Sequence, residues 1–365
     1  MDASPPPTGS PQPPTPIQPL SVSQPPPPPR KSRFFARLLM VLVVLGLLGS
    51  LALNGVLLGM LGLAGIGSEG GKVREEFYSH NRWGVEKVAI LSIEGTILTG
   101  DGFFKQQIDH ARKDAENGSL KALVVRVNSP GGTISGSDYM LHHLRKLAAD
   151  THLPVVVSMG GLAASGGYYV SMCVGDEPNS IFAEPTTWTG SIGVIIPHYN
   201  LAELMQKLGI QEDAIASNPL KTMGSLSRPM TEREQEIFKG LVNEGFTQFK
   251  DAIKGGRPKF RKDPAALDKL ATGQIYTAQQ ALKDGLVDKI GFVDEAIDRA
   301  IHLAKVDRAN VKVVKYKAEP RLSEILFGSS RVQPLGDLAA LLEGTAPRAY
   351  YLCTWLPPVV GSAKD

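Results

Sequence analysis

Two glycine-rich stretches and one isolated lysine hold most of the chemistry that residue types and spacing suggest in this chain. Asn128-Ser129-Pro130-Gly131-Gly132 ends an apolar run and precedes a helical pattern. Its proline fixes local geometry, and its glycines expose backbone N–H groups without side-chain obstruction. At a helix start such groups carry partial positive charge, which suits an oxyanion, a phosphate or a thioester carbonyl. A plain strand-to-helix turn would read the same way. The second stretch, Ala163-Ala164-Ser165-Gly166-Gly167-Tyr168-Tyr169, also joins a strand to a helix. A serine between small residues there is either an N-cap or a nucleophile on a tight elbow.

A serine hydroxyl needs a base before it can attack at neutral pH. The seven histidines are the first candidates, but none stands in a catalytic context, and no aspartate is placed to orient one. A lysine can serve instead, provided that it is neutral, hence buried and away from carboxylates. Lys221 has no acid between Asp213 and Glu232. By itself that segment reads equally well as an exposed loop, so the residues alone do not select Lys221. No CxxC or HExxH spacing occurs, and Cys173 and Cys353 define no disulfide framework. No metal or other cofactor is therefore expected, and Cys173 reads as a small core residue.

Short β-branched runs alternate with helical patterns around these loops. Val88–Ile93, Ala122–Val127 and Pro154–Val157 read as strands. Helices are expected over 104–116, after Gly132 with Tyr139, Leu141, Leu144 and Leu147 buried, and over 201–208, 231–254, 278–284 and 294–305. Nearly continuous apolar strands between helices imply βαβ crossovers and a sheet covered on both faces. The expected class is therefore α/β.

The first thirty residues are rich in proline and contain almost nothing to bury, so disorder is expected there. Leu38–Ile66 is an uncharged stretch preceded by Arg30, Lys31, Arg33 and Arg37. It exceeds the roughly 20 residues that cross a bilayer, and the flanking charge keeps the N-terminus cytoplasmic. Its length favours an uncleaved anchor over a signal peptide. The expected organisation is a tail over 1–37, a transmembrane helix over 38–66, a linker over 67–82 and a catalytic domain over 83–318. Residues 319–365 form an extension that could pack on its own domain, a neighbouring subunit or the membrane. The net charge of +3 is small and spread out, which excludes a nucleic-acid footprint.

Taken together, Arg126–Gly132, Ala163–Tyr169, Thr189-Gly-Ser-Ile-Gly-Val194, Leu220-Lys-Thr-Met223 and Thr272–Asp288 resemble the protease IV, or signal peptide peptidase A, family. The resemblance covers roughly residues 85–300 and implies a crotonase-like (Clp-protease-like) fold with a Ser-Lys dyad. It makes Ser165 the nucleophile and Lys221 the base, with Gly131 or Gly132 and Gly166 as oxyanion donors and Ser191 orienting the lysine. It also implies peptide substrates, cleaved signal peptides among them, at the extracytoplasmic face of a bacterial-type inner membrane. A ring-like homo-oligomer in which serine and lysine meet across subunits is implied as well. Gly161-Leu162, extra residues around 175–179 and the proline-rich tail depart from the family pattern. An acyl-CoA enzyme of the crotonase type and an inactive membrane scaffold are the alternatives.

Overall fold

The computed structural model describes residues 34–65, 73–319 and 349–352. The expected tail, the junction at 66–72, most of the C-terminal extension and Cys353 lie outside the described residues. Two units are distinguished, Met1–Gly65 and Ile66–Asp365. The described part of the first is one helix, α1 (Phe34–Gly65). Within it Arg37–Gly55 is long and apolar enough to cross a membrane. Its one side-chain amide, Asn54, donates to the Ser50 carbonyl at 2.8 Å, so helix geometry satisfies that group.

The second unit runs β1 (Val73–His80), β2 (Glu86–Glu94), α2 (Phe103–Glu116), β3 (Leu120–Ser129), β4 (Gly131–Thr133), α3 (Ile134–Thr151), β5 (Val155–Ala164) and α4 (Gly166–Val170). It continues with β6 (Ile181–Ala183), β7 (Trp188–Gly190), α5 (Ala202–Lys207), α6 (Glu232–Gly256), α7 (Pro258–Lys262), α8 (Pro264–Leu270) and β8 (Ile275–Thr277). The last elements are α9 (Ala278–Asp284), β9 (Lys289–Ile290), α10 (Val293–Ala304), β10 (Val311–Ala318) and β11 (Tyr350–Leu352). The main sheet has the order β1-β10-β2-β3-β5-β6-β9. Every pair from β10 to β9 is parallel, and β1 is an antiparallel edge. The mixed α/β class is thus the one expected.

Both faces of the sheet are covered, which explains its unbroken apolar strands. Leu91, Leu123, Val125 and Val157 join α2, α3, α4 and α6 in one core, while Val88, Ile90, Val124 and Val156 pack against α10 in the other. Leu141, Leu144 and Leu147 of α3 are buried as expected, but Met140 is buried where Tyr139 was expected. Adjacent positions on a helix point about 100° apart, so one residue of shift exchanges them.

The domain begins earlier than expected. Val73–His80, read as linker, pairs with β10 over most of its length. Its Glu75 and Glu76 suit an edge strand, where charge discourages pairing with other chains, and they conceal it from apolar patterning. The acid side chains also serve the interior. Lys87 donates to Glu75 and Asp114 at 2.5 and 2.7 Å, and Tyr316 donates to Asp114 at 3.1 Å. Glu75, His110 and Asp114 are grouped as a cation site could be, and the Lys87 ammonium supplies the positive charge there. Burial opposes ionisation of Asp114, yet its hydrogen bond and attraction to Lys87 prevail and lower its pKa.

Candidate active site

The serine stretch folds where β5 changes neighbours. Val157–Met159 pairs with β6, whereas Leu162–Ala164 pairs in parallel with β7. The Ser165 amide continues that second ladder by donating to Gly190 at 2.7 Å, and its carbonyl accepts from Tyr169 at 2.8 Å to start α4. Ser165 itself has φ +54° and ψ −114°. An L-residue held in that region stores about 1–3 kcal/mol of strain, as nucleophile elbows do. The N-cap alternative fails, because its side chain makes no capping bond. Ser165 is buried, and its Oγ has no partner among the described residues. A buried hydroxyl left without a partner costs about 1–3 kcal/mol.

The SPGG loop lies against that serine. Ser129 Oγ donates to the Gly95 carbonyl at 2.6 Å and accepts from the Gly131 amide at 3.1 Å. Gly131 has φ +95°, and a Cβ there would lie 2.5 Å from the Gly166 nitrogen and 3.0 Å from Ser165 Cβ. At Gly132 a Cβ would fall 1.8 Å from the Ile97 carbonyl oxygen. Both positions therefore exclude side chains for reasons of contact. Of the three expected oxyanion donors, Gly131 spends its N–H on Ser129. Gly132 stands opposite Tyr351 of β11, and the Gly166 N–H opens α4, where no intrahelical acceptor exists.

Ser191 follows β7 and is buried with φ +51°. Since Ala164 pairs with Gly190 in parallel, Ser165 and Ser191 are the next residues on their two strands. Lys221 sits elsewhere in character: it is exposed, on a 3₁₀ turn over Pro219–Thr222 started by the Asn218 side chain. Its ammonium makes no hydrogen bond or ion pair among the described residues. One chain thus leaves Lys221 outside the buried setting that a neutral lysine requires. The turn is nevertheless anchored, because Arg228 donates both to the Thr222 carbonyl at 3.1 Å and to the Glu234 carboxylate.

Sequence patterning did not point to three participants: Ser129, which organises the loop, Ile97, whose backbone clamps it, and Ile195, which pairs with β11. Their roles are carried by backbone geometry, which residue types barely encode. Downstream, the Thr272–Asp288 stretch is explained by support rather than chemistry. Asp288 accepts from the Ser180 and Ile181 amides at 2.9 Å and from Arg257 at 2.8 Å, and Tyr168, next on α4, donates to Leu286 at 2.8 Å. Cys173 is buried and unpaired, and burial pushes its thiol up to about 12.

The model of peptidase family S49 matches residues 148–307. A Synechocystis protein named as a protease is 34% identical over 71% of this chain and 89% of its own length. The chain belongs to peptidase family S49. An Enterococcus faecium protein named for signal peptide peptidase SppA is 34% identical over 64% of this chain and 67% of its own. The chloroplastic serine protease SPPA of Arabidopsis thaliana is 32% identical over 64% of this chain, which spans only 34% of that relative. This S49 member is accordingly a serine-type peptidase of Clp-protease-like α/β fold, and the acyl-CoA alternative is set aside.

Proposed function

We propose that this S49 chain is a membrane-anchored endopeptidase in which Ser165 of one copy is activated by Lys221 of a neighbouring copy. The observation that carries it is a mismatch within one chain. Ser165 is buried, strained and without a partner for Oγ, whereas Lys221 is exposed on a segment with an uncovered apolar surface. Along that segment Tyr199, Leu204, Leu208, Ile210, Ile215 and Leu220 are all exposed, and α5 buries none of its residues. Packing this surface against another copy would remove water from Lys221 and favour its neutral form. A heterologous, head-to-tail contact of this kind closes into a ring.

In that assembly Ser165 Oγ attacks the peptide carbonyl while its proton passes to the Lys221 amine. The Gly132 and Gly166 N–H groups receive the developing oxyanion, worth several kcal/mol where such donors are pre-aimed. Collapse breaks the C–N bond as the ammonium returns its proton to the leaving amine, and water then hydrolyses the acyl-enzyme. Ser191 is suited to orient the lysine from the neighbouring ladder position. With α1 in the bilayer and the N-terminus cytoplasmic, the catalytic unit stands extracytoplasmic, where cleaved signal peptides are accessible substrates.

Complementation tests the reading. Ser165→Ala and Lys221→Ala should each lower peptide turnover at least about a thousandfold while remaining folded. Mixed and reassembled, the two should regain about a quarter of wild-type activity, since random neighbours then pair an intact serine with an intact lysine. No recovery from co-assembled variants, with both inactive alone, would place the dyad within one chain.

A further inference from the structure

Two neighbouring strands of the main sheet separate before they end. β10 pairs with β2 only as far as Lys315 opposite Ile90. Beyond that point β2 stays paired with β3 to Glu94, and β10 stays paired with β1 to Ala318. The buried Gln107 of α2 takes the place of a strand at the split. Its carboxamide accepts from the Ser92 amide and donates to the Ser92 carbonyl, both at 3.2 Å. Residues two apart on a strand turn their backbone groups the same way, so Glu94 directs its N–H and C=O into the split as well. These are the carboxyl ends of parallel strands, and the helices change face there: α2 and α3 pack on one side of the sheet, α10 on the other. A crevice at such a reversal is where open α/β sheets take their ligands.

A cavity of 520 Å³ lies at the split, within the range of sites that hold small ligands. Ile93, Leu98, Phe103 and Met140 give it apolar walls, and Lys315 and Lys317 stand along its β10 side. Lys315 donates to the exposed Glu94 at 3.4 Å, a long contact for a charge-assisted bond, and Lys317 pairs with Glu76 at 3.1 Å. The start of α2 borders the cavity at Gly102 and Phe103; no side chain caps that helix, and no acid lies in its first turn. Its first N–H groups have no intrahelical acceptor and favour negative charge. Ser92, in the same wall, has a buried Oγ with no partner among the described residues. Ile97 lines the cavity too, and its backbone bonds Gly131 and Thr133, so one wall of the cavity is the clamp of the SPGG loop.

We propose that this crevice binds the carboxyl-terminal end of an extended apolar peptide, whose main chain follows Gln107 along Glu94 and whose terminal carboxylate replaces Glu94 on Lys315. Strand addition supplies affinity without sequence preference, and the carboxylate fixes where the bound chain ends. Gln107 decides between a peptide and any other apolar anion. It meets the edge of β2 with an amide, a donor and an acceptor together, which a fatty-acid tail lacks. Ser165 does not line the cavity, so the site stands whether or not that serine is the nucleophile.

Fluorescence anisotropy on full-length Ser165→Ala protein, chosen to spare the probe from turnover, tests the site. N-terminally labelled Leu-Ala-Leu-Ala should bind about tenfold or more tightly as the free acid than as the carboxamide. Lys315→Met should remove that preference, and Lys315→Arg should keep it. The acid should also slow hydrogen exchange of the Glu94 and Ile97 amides, and decanoate at the same concentration should not. Equal binding of acid and carboxamide would overturn the proposal, and so would a preference that survives Lys315→Met. Decanoate that protects the two amides as well as the peptide does would overturn the choice of a peptide. The exchange measurement uses an unaltered crevice, so it decides the matter whatever Lys315→Met does to folding.

Discussion

The half of the site that holds Ser165 and the half that holds Lys221 are built on opposite terms. Around Ser165 the backbone is held on several sides: β5 is paired on both sides, Gly131 and Gly166 touch, Tyr168 ties α4 to Leu286, and Asp288 receives the Ser180 and Ile181 amides beside Arg257. Around Lys221 the contacts are local and many apolar side chains are exposed, with Asn218 capping the turn and Arg228 bridging Thr222 and Glu234. The contrast teaches that burial is complete within one chain around Ser165 and incomplete around Lys221, which is the difference the proposed assembly of copies would remove.

The largest effect should come from the finished half. Lys87→Met leaves the buried Asp114 and the half-buried Glu75 without their cation, and breaking a buried pair typically costs about 3–5 kcal/mol. Chemical denaturation should show that loss without a change in oligomeric state. The same network has a pH signature. The Asp114 pKa is lowered in the folded protein, so its contribution is complete above the ordinary carboxylate range and disappears as pH falls through the folded value.

The unfinished half should respond in the opposite sense. Ile215→Asp or Leu220→Asp, each at an exposed position, should leave unfolding almost unchanged, within about 0.5 kcal/mol. The proposed assembly should nevertheless dissociate, and turnover should fall about tenfold or more, because a charge would have to be buried at the contact. Retained size by sedimentation together with retained activity would erase the distinction between the halves. The smallest effect concerns the anchor of the lysine turn. Arg228 and the Thr231 amide hold the Glu234 carboxyl down to about 2. Its stabilising share is therefore present above about pH 4.3 and fades towards pH 2. Glu234→Gln should lower Tm by no more than about 4 °C and flatten that acid limb.

The same division explains what could be read from residues alone. Val88–Ile93, Ala122–Val127 and Pro154–Val157 announce themselves because parallel strands buried on both faces must be apolar throughout. Ser165 was legible as a strand-to-helix serine among small neighbours. The edge strand β1 was not, since its glutamates serve Lys87 and solvent rather than a packed face. Lys221 could be chosen only by resemblance, because within one chain it is exposed like any loop lysine. The seat of β11 was illegible for another reason. Pairing Tyr351 with Gly132 is a long-range backbone match, and neither Ala349-Tyr350-Tyr351-Leu352 nor the SPGG loop encodes its partner.

The left-handed backbone at Ser165 has a consequence beyond catalysis. Among the genetically encoded residues, glycine is the one that occupies such a conformation without steric penalty. The fold by itself would therefore favour glycine at position 165, and serine persists there against that preference. A chain that exchanged the whole hydroxymethyl side chain for hydrogen would keep its sheet and its elbow, and would lose only the chemistry of the hydroxyl. Silent, well-folded descendants are thus one substitution away from a working enzyme of this architecture.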